Sequence, residues 1–186
     1  MAAISYGTVM AGITLLWLTV RSILCLRQKH IFWKREMQLL LVYICILVVT
    51  RFTFFPFSKA DGQVQPLLFD TAHLFPPRIN LLPFVYLFDY PALREALINL
   101  IGNTAMFLPL GIVWPSVFKQ LDTHWKVVTA GVGYSLLIEL VQLPFFDRVS
   151  DIDDLILNSL GFLTGYGIYL LAKYLRRLYK RRRGGK

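Results

Sequence analysis

Glu139 and Gln142 sit in one apolar run and Asn158 sits in another, with the polar stretch FDRVSDIDD (146–154) between the two runs. An Asp-like charge at the centre of a membrane helix costs roughly 2.5–3.5 kcal/mol, and less towards the ends. Several such groups beside one hinge point to use rather than accident. A Glu in an apolar setting is expected to have a raised pKa, which suits general acid or base work. Asp151 and Asp154 share a helix face and, with Glu139, form an oxygen set of the kind a hard divalent cation accepts. Amides and carboxylates also hydrogen-bond sugar and peptide groups, and arginine holds phosphate or carboxylate. The blander uses are definite too. Glu139 could pair with Arg51, Arg94 or Arg148, and Asp151 or Asp153 could cap a helix N-terminus.

The elements that position these groups read as membrane helices. The chain is 56% hydrophobic and 15% aromatic, with a mean hydropathy of +0.55. A helical span needs about 20 mostly apolar residues, and runs of that kind lie at 5–26, 37–57, 94–118, 125–143 and 155–175. The expected fold class is therefore all-α integral membrane, a bundle of about five transmembrane helices. Its parts are an N-terminal helix and basic loop (1–36), a four-helix core (37–175) with an outer segment at 58–93, and a basic tail (176–186). Pro109 and Pro115 fall inside the third span and are expected to kink it. The apolar pieces of 58–93 are too short to span, so interfacial or re-entrant structure is expected there.

The net charge of +9 sits in short clusters at helix ends, which argues for membrane orientation and against nucleic-acid binding. Seven Lys or Arg crowd the tail, where contact with anionic lipid headgroups is expected. With five spans, the 27–36 loop, the 119–126 loop and the tail fall on one side, taken as cytoplasmic, and the N-terminus faces out. The polar stripes then open outward: Glu95, Asn99 and Asn103 on span three; Ser135, Glu139 and Gln142 on span four; Asp151, Asp154, Asn158, Gly161 and Gly165 on span five. Arg51, Arg78, Asn80 and Arg148 fall on the same side. Cys25 and Cys45 lie within spans and read as small hydrophobes. His30, His73 and His124 read as incidental, no Cys/His metal spacing is present, and no cofactor is expected beyond a divalent cation.

The stretch GNTAMFLPLG, with Asn103, Phe107, Pro109 and Gly111, is followed by Glu139, Gln142, Arg148, Asp151, Asp154, Asn158 and Gly161. That ordered set resembles the VanZ-like family of bacterial membrane proteins, and Asn80-Leu-Leu-Pro-Phe84 resembles its upstream Asn-Leu-x-Pro-Phe element. The resemblance covers about residues 36–172, leaving the first span and the tail poorly covered. It implies a multi-pass protein of the bacterial cytoplasmic membrane, tied to resistance against teicoplanin and related lipoglycopeptides. The expected partners are membrane lipids and a lipid-linked cell-wall precursor or the lipoglycopeptide itself. Three functions compete: a binding protein that shields a surface ligand, a membrane enzyme with Glu139, Asp151 and Asp154 as acid–base or metal-ligand groups, and a transporter or partner-binding scaffold. No nucleophile elbow or zinc motif favours the enzyme, and no internal repeat favours a transporter.

Overall fold

The computed structural model describes residues 2–28, 31–55, 59–60, 63–70, 78–84 and 93–184. Its helices are α1 (Tyr6–Arg27), α2 (Trp33–Phe54), α3 (Leu93–Val117), α4 (His124–Gln142) and α5 (Ile152–Gly184). Each expected span has its helix, within a few residues at most ends. Within these helices, Tyr6–Arg27, Trp33–Phe54, Ala96–Val117 and Ile152–Arg183 are long and apolar enough to cross a membrane. Helix α4 falls short of that measure because Lys126, Glu139 and Gln142 interrupt its apolar run. No residue of α1 is buried against the protein although its mean hydropathy is 1.9, a surface suited to lipid.

The tail departs from expectation. Helix α5 does not stop near 175 but continues through the arginines to Gly184, 33 residues in all. Leu, Lys and Arg are strong helix formers, and no glycine intervenes before Gly184.

Six short strands were not legible in the sequence: β1 (Ala2–Ile4), β2 (Lys59–Ala60), β3 (Gln63–Val64), β4 (Leu67–Phe69), β5 (Ile79–Asn80) and β6 (Ser150–Asp151). Four of them, β2 to β5, lie in the 58–93 segment, of which 71–77 and 85–92, with His73, lie outside the described residues. His30 lies outside them as well.

The chain forms two compact units. The first comprises Met1–Phe84 and Leu136–Asp153, and the second Val85–Ser135 and Asp154–Lys186. In the first unit α1 and α2 are joined by side chains. Thr14 and Tyr43 hydroxyls share a 2.7 Å hydrogen bond, the Trp17 ring lies 5.4 Å from that of Tyr43, and Arg21 pairs with Glu36. Leu39, Val42, Cys45 and Val49 make the buried stripe of α2 at steps of three and four. Both cysteines are free, and Cys45 packs in that stripe as a small hydrophobe. Strand β4 pairs antiparallel with β1, and Phe69 bridges Phe145. Asp70 N donates to Pro144 O at 3.0 Å and Phe146 N to Leu68 O at 2.8 Å, which docks the hinge on β4.

In the second unit α3 and α5 touch backbone to backbone. A Cβ at Gly161 would run into the Thr104 carbonyl, and one at Gly165 into that of Leu108. This is the small-residue packing that membrane helices use where no hydrophobic effect drives them together. Around the contact Phe107, Leu110 and Phe162 are almost wholly buried, with Trp114 edge-on to Phe162 at 5.9 Å and Tyr134 5.2 Å from Trp114. Helix α3 runs through Pro109 and Pro115 unbroken.

Candidate functional site

The hinge is built from backbone groups that would otherwise go unpaired. Helix α2 must end where it does: Pro56 follows, and Phe55 before it takes the extended conformation a pre-proline residue prefers (φ −121°, ψ 110°). A helix end leaves its last carbonyls without intrahelical donors, which is costly where water is scarce. Three side chains supply them. Gln142 Nε2 donates to Thr53 O at 2.8 Å, Arg148 donates to Phe54 O, and Arg51 donates to Phe55 O. The two guanidinium charges also face the negative end of the helix dipole. Arg51 stands 5.4 Å from the centre of the Tyr6 ring as well.

Arg148→Met is accordingly expected to lower stability by about 2 kcal/mol, the worth of a charge-assisted bond to a part-buried carbonyl. Replacing Arg181 in the tail should leave stability unchanged. The thermal midpoint of the detergent-solubilised protein checks both.

Across the hinge, β5 pairs in parallel with β6, Ile79 opposite Ser150 and Asn80 opposite Asp151. Asp151 occupies the N-cap of α5, its Oδ1 accepting from Asp153 N at 2.9 Å. The same oxygen accepts from Asn80 Nδ2 at 3.1 Å, and the Asn80 side chain in turn accepts from Leu82 N at 3.1 Å. Asp153 receives Phe84 N on both oxygens, at 2.8 and 3.1 Å. Phe84 follows Pro83 and has φ 60°, a left-handed conformation that is uncommon for a bulky residue. The Asn80–Phe84 element is thus a turn clamped to the first residues of α5. Glu139, 3% exposed, accepts the Asp151 backbone N–H at 2.9 Å. Arg78 is exposed, donates to Phe146 O at 2.8 Å and covers the Phe146 ring at 4.9 Å.

The first unit therefore gathers Arg51, Arg78, Asn80, Glu139, Gln142, Arg148 and Asp151 around the hinge. Gln142 is 4% exposed, and its Oε1 has no partner among the described residues. The second unit gathers the rest: Asn103 Nδ2 donates to Asn99 Oδ1 at 2.7 Å and to Asp154. One turn below Asp154, Asn158 is 1% exposed, and among the described residues neither its Oδ1 nor the buried Ser135 Oγ has a partner. The Glu95 side chain lies outside the described residues. Among the described residues no three His, Cys, Asp or Glu side chains gather to hold a metal ion.

Two contacts escaped the sequence reading. Asp153 is held by Phe84, which only the Asn80–Phe84 resemblance hinted at. His124 is not incidental: its Nδ1 shares a 2.7 Å hydrogen bond with the Tyr166 hydroxyl, and no local spacing signals a pair so far apart in the chain.

Long apolar helices around small, buried, internally bonded polar clusters define a multi-pass integral membrane protein. The chain belongs to the VanZ/LLP1 family, whose model matches residues 40–173. That span holds both polar clusters and leaves out all of α1, the start of α2 and the basic end of α5. No curated protein and no solved structure matches the chain.

Proposed function

We propose that this protein contributes to resistance against teicoplanin and related lipoglycopeptides by binding, at the outer face of the bacterial cytoplasmic membrane, a cell-surface lipid, a cell-wall precursor or the antibiotic itself. Family membership supports the phenotype. The chemistry is supported above all by Gln142 Oε1, a buried acceptor beside the Glu139 carboxylate that no described residue satisfies. Buried acceptors of this kind are satisfied by a donor, and sugar hydroxyls and peptide N–H groups are such donors. The exposed Arg78 guanidinium suits a phosphate or carboxylate on the same ligand. The positive-inside pattern sets the hinge outside, where such ligands occur. Binding and shielding need no turnover.

Glu139→Gln and Asp151→Asn test this cleanly, since each replacement keeps an oxygen for the backbone N–H it now accepts. In a susceptible Gram-positive host, at matched membrane levels, the wild-type protein should raise the inhibitory concentration of teicoplanin several-fold. Both variants should return it towards the host's own value while retaining most of the wild-type stability. Vancomycin, run in parallel, reports whether the antibiotic's acyl chain matters. Full protection by both variants would make the hinge purely structural.

A further inference from the structure

At the end of the second unit remote from Asn99 and Asp154, a cavity of about 530 Å³ lies among the end of α3, the loop that follows it, the start of α4 and the middle of α5. Its volume falls within the roughly 300–1,000 Å³ usual for small-molecule sites. Lys119, Lys173 and Arg177 line it, together with His124, Tyr166 and Tyr169. Among the described residues none of these three cations has an acidic partner within 4.0 Å. The acid on the rim, Asp122, is engaged by Lys126 at 2.8 Å, which holds its carboxyl below the usual range and keeps it ionised at neutral pH. The cavity therefore carries an uncompensated positive charge.

Its depth is equally telling. Tyr166 and Arg177 stand about 21 and 38 Å along α5 from Ile152 at 1.5 Å per residue, spanning the level where a hydrocarbon core of about 30 Å ends. Tyrosines at that level match an interfacial belt, and the flanking cations match the headgroup layer. The His124–Tyr166 bond and Lys173 seated 5.7 Å from the centre of the Tyr169 ring hold the lining in place.

We infer that this cavity binds a phosphate group, presented by the headgroup of an anionic membrane lipid. Lysine supplies point charges, and arginine two parallel N–H donors to phosphate oxygens. The site is independent of the hinge cluster and stands whether or not that cluster binds anything.

Native mass spectrometry of the full chain in detergent, titrated with dioleoyl phosphatidylglycerol or dioleoyl phosphatidylcholine, tests the inference. The wild type should retain phosphatidylglycerol selectively. The triple variant Lys119→Gln, Lys173→Gln, Arg177→Gln should bind it about 100-fold more weakly, at roughly fivefold per cation. The charge-matched triple Arg181→Gln, Arg182→Gln, Arg183→Gln, outside the cavity, should lose several-fold at most, since it removes only general headgroup contact of the tail. Lys173→Gln alone should show a several-fold loss, which covers failure of the triple to fold. Sodium phosphate added as competitor separates the sources: no displacement at millimolar concentration assigns the site to lipid, and displacement with saturable phosphate binding lost in the cavity variant assigns it to a soluble phosphate. Equal losses in both triple variants, or no preference over phosphatidylcholine together with no phosphate binding, would overturn the site.

Discussion

Membranes expressing Gly161→Val are expected to hold little folded protein, with a stability loss above about 4 kcal/mol. The reason lies in what the new side chain would meet. At Gly161 the obstacle is the Thr104 carbonyl, and at Gly165 the Leu108 carbonyl. Both are backbone, so no rotamer change can clear the way. Helices α3 and α5 would have to separate, and Phe107, Leu110 and Phe162, buried to within about one per cent, would lose their packing with them. Gly167 lies on the same helix with nothing within 4 Å of its would-be Cβ. Gly167→Val should therefore accumulate as wild type, changing stability by about 0.5 kcal/mol or less. Fluorescence-detected size exclusion followed by a thermal ramp compares the two. Equal accumulation would mean that α3 and α5 do not approach this closely.

The second large effect is expected at the clamp on α5. Asp151→Ala removes an N-cap and the acceptor for Asn80 in one step, a loss of about 2–3 kcal/mol. Asn80→Ala removes the same bond between β5 and the α5 cap together with its own turn bond to Leu82. The double variant should then be less damaged than the two losses added, by about 1 kcal/mol, the worth of the shared bond. Strict additivity would show that the Asn80–Asp151 contact contributes nothing. Asp151→Asn keeps an oxygen at the cap and should retain most of the stability, which is why it serves as the functional variant and Asp151→Ala as the structural one.

Much of this protein follows from local pattern. Apolar runs near 20 residues placed all five helices, because a bilayer demands that length whatever the neighbours. Asp151 was one of two acids, with Asp153, placed to cap the last helix, but the apolar run read as 37–57 overran Pro56, ahead of which α2 stops at Phe54. Gly161 and Gly165, four residues apart, share a helix face on which a close helix contact is possible, and the polar residues near 139–158 announced a cluster. The sequence alone did not reveal their partners. Arg51, Gln142 and Arg148 turn out to hold carbonyls at the end of α2, and Glu139 holds the Asp151 amide. Every residue carries such backbone groups, so no residue type flags which one is used. The pairing of β5 with β6 brings together segments 71 residues apart, Asn80 and Asp151, with two-residue strands too short for any periodicity to register. His124 and Tyr166 meet across 42 residues for the same reason. Spacing along the chain determined which groups were available in the membrane; only the tertiary structure decided which of them met, because that depends on where distant helix ends come to lie.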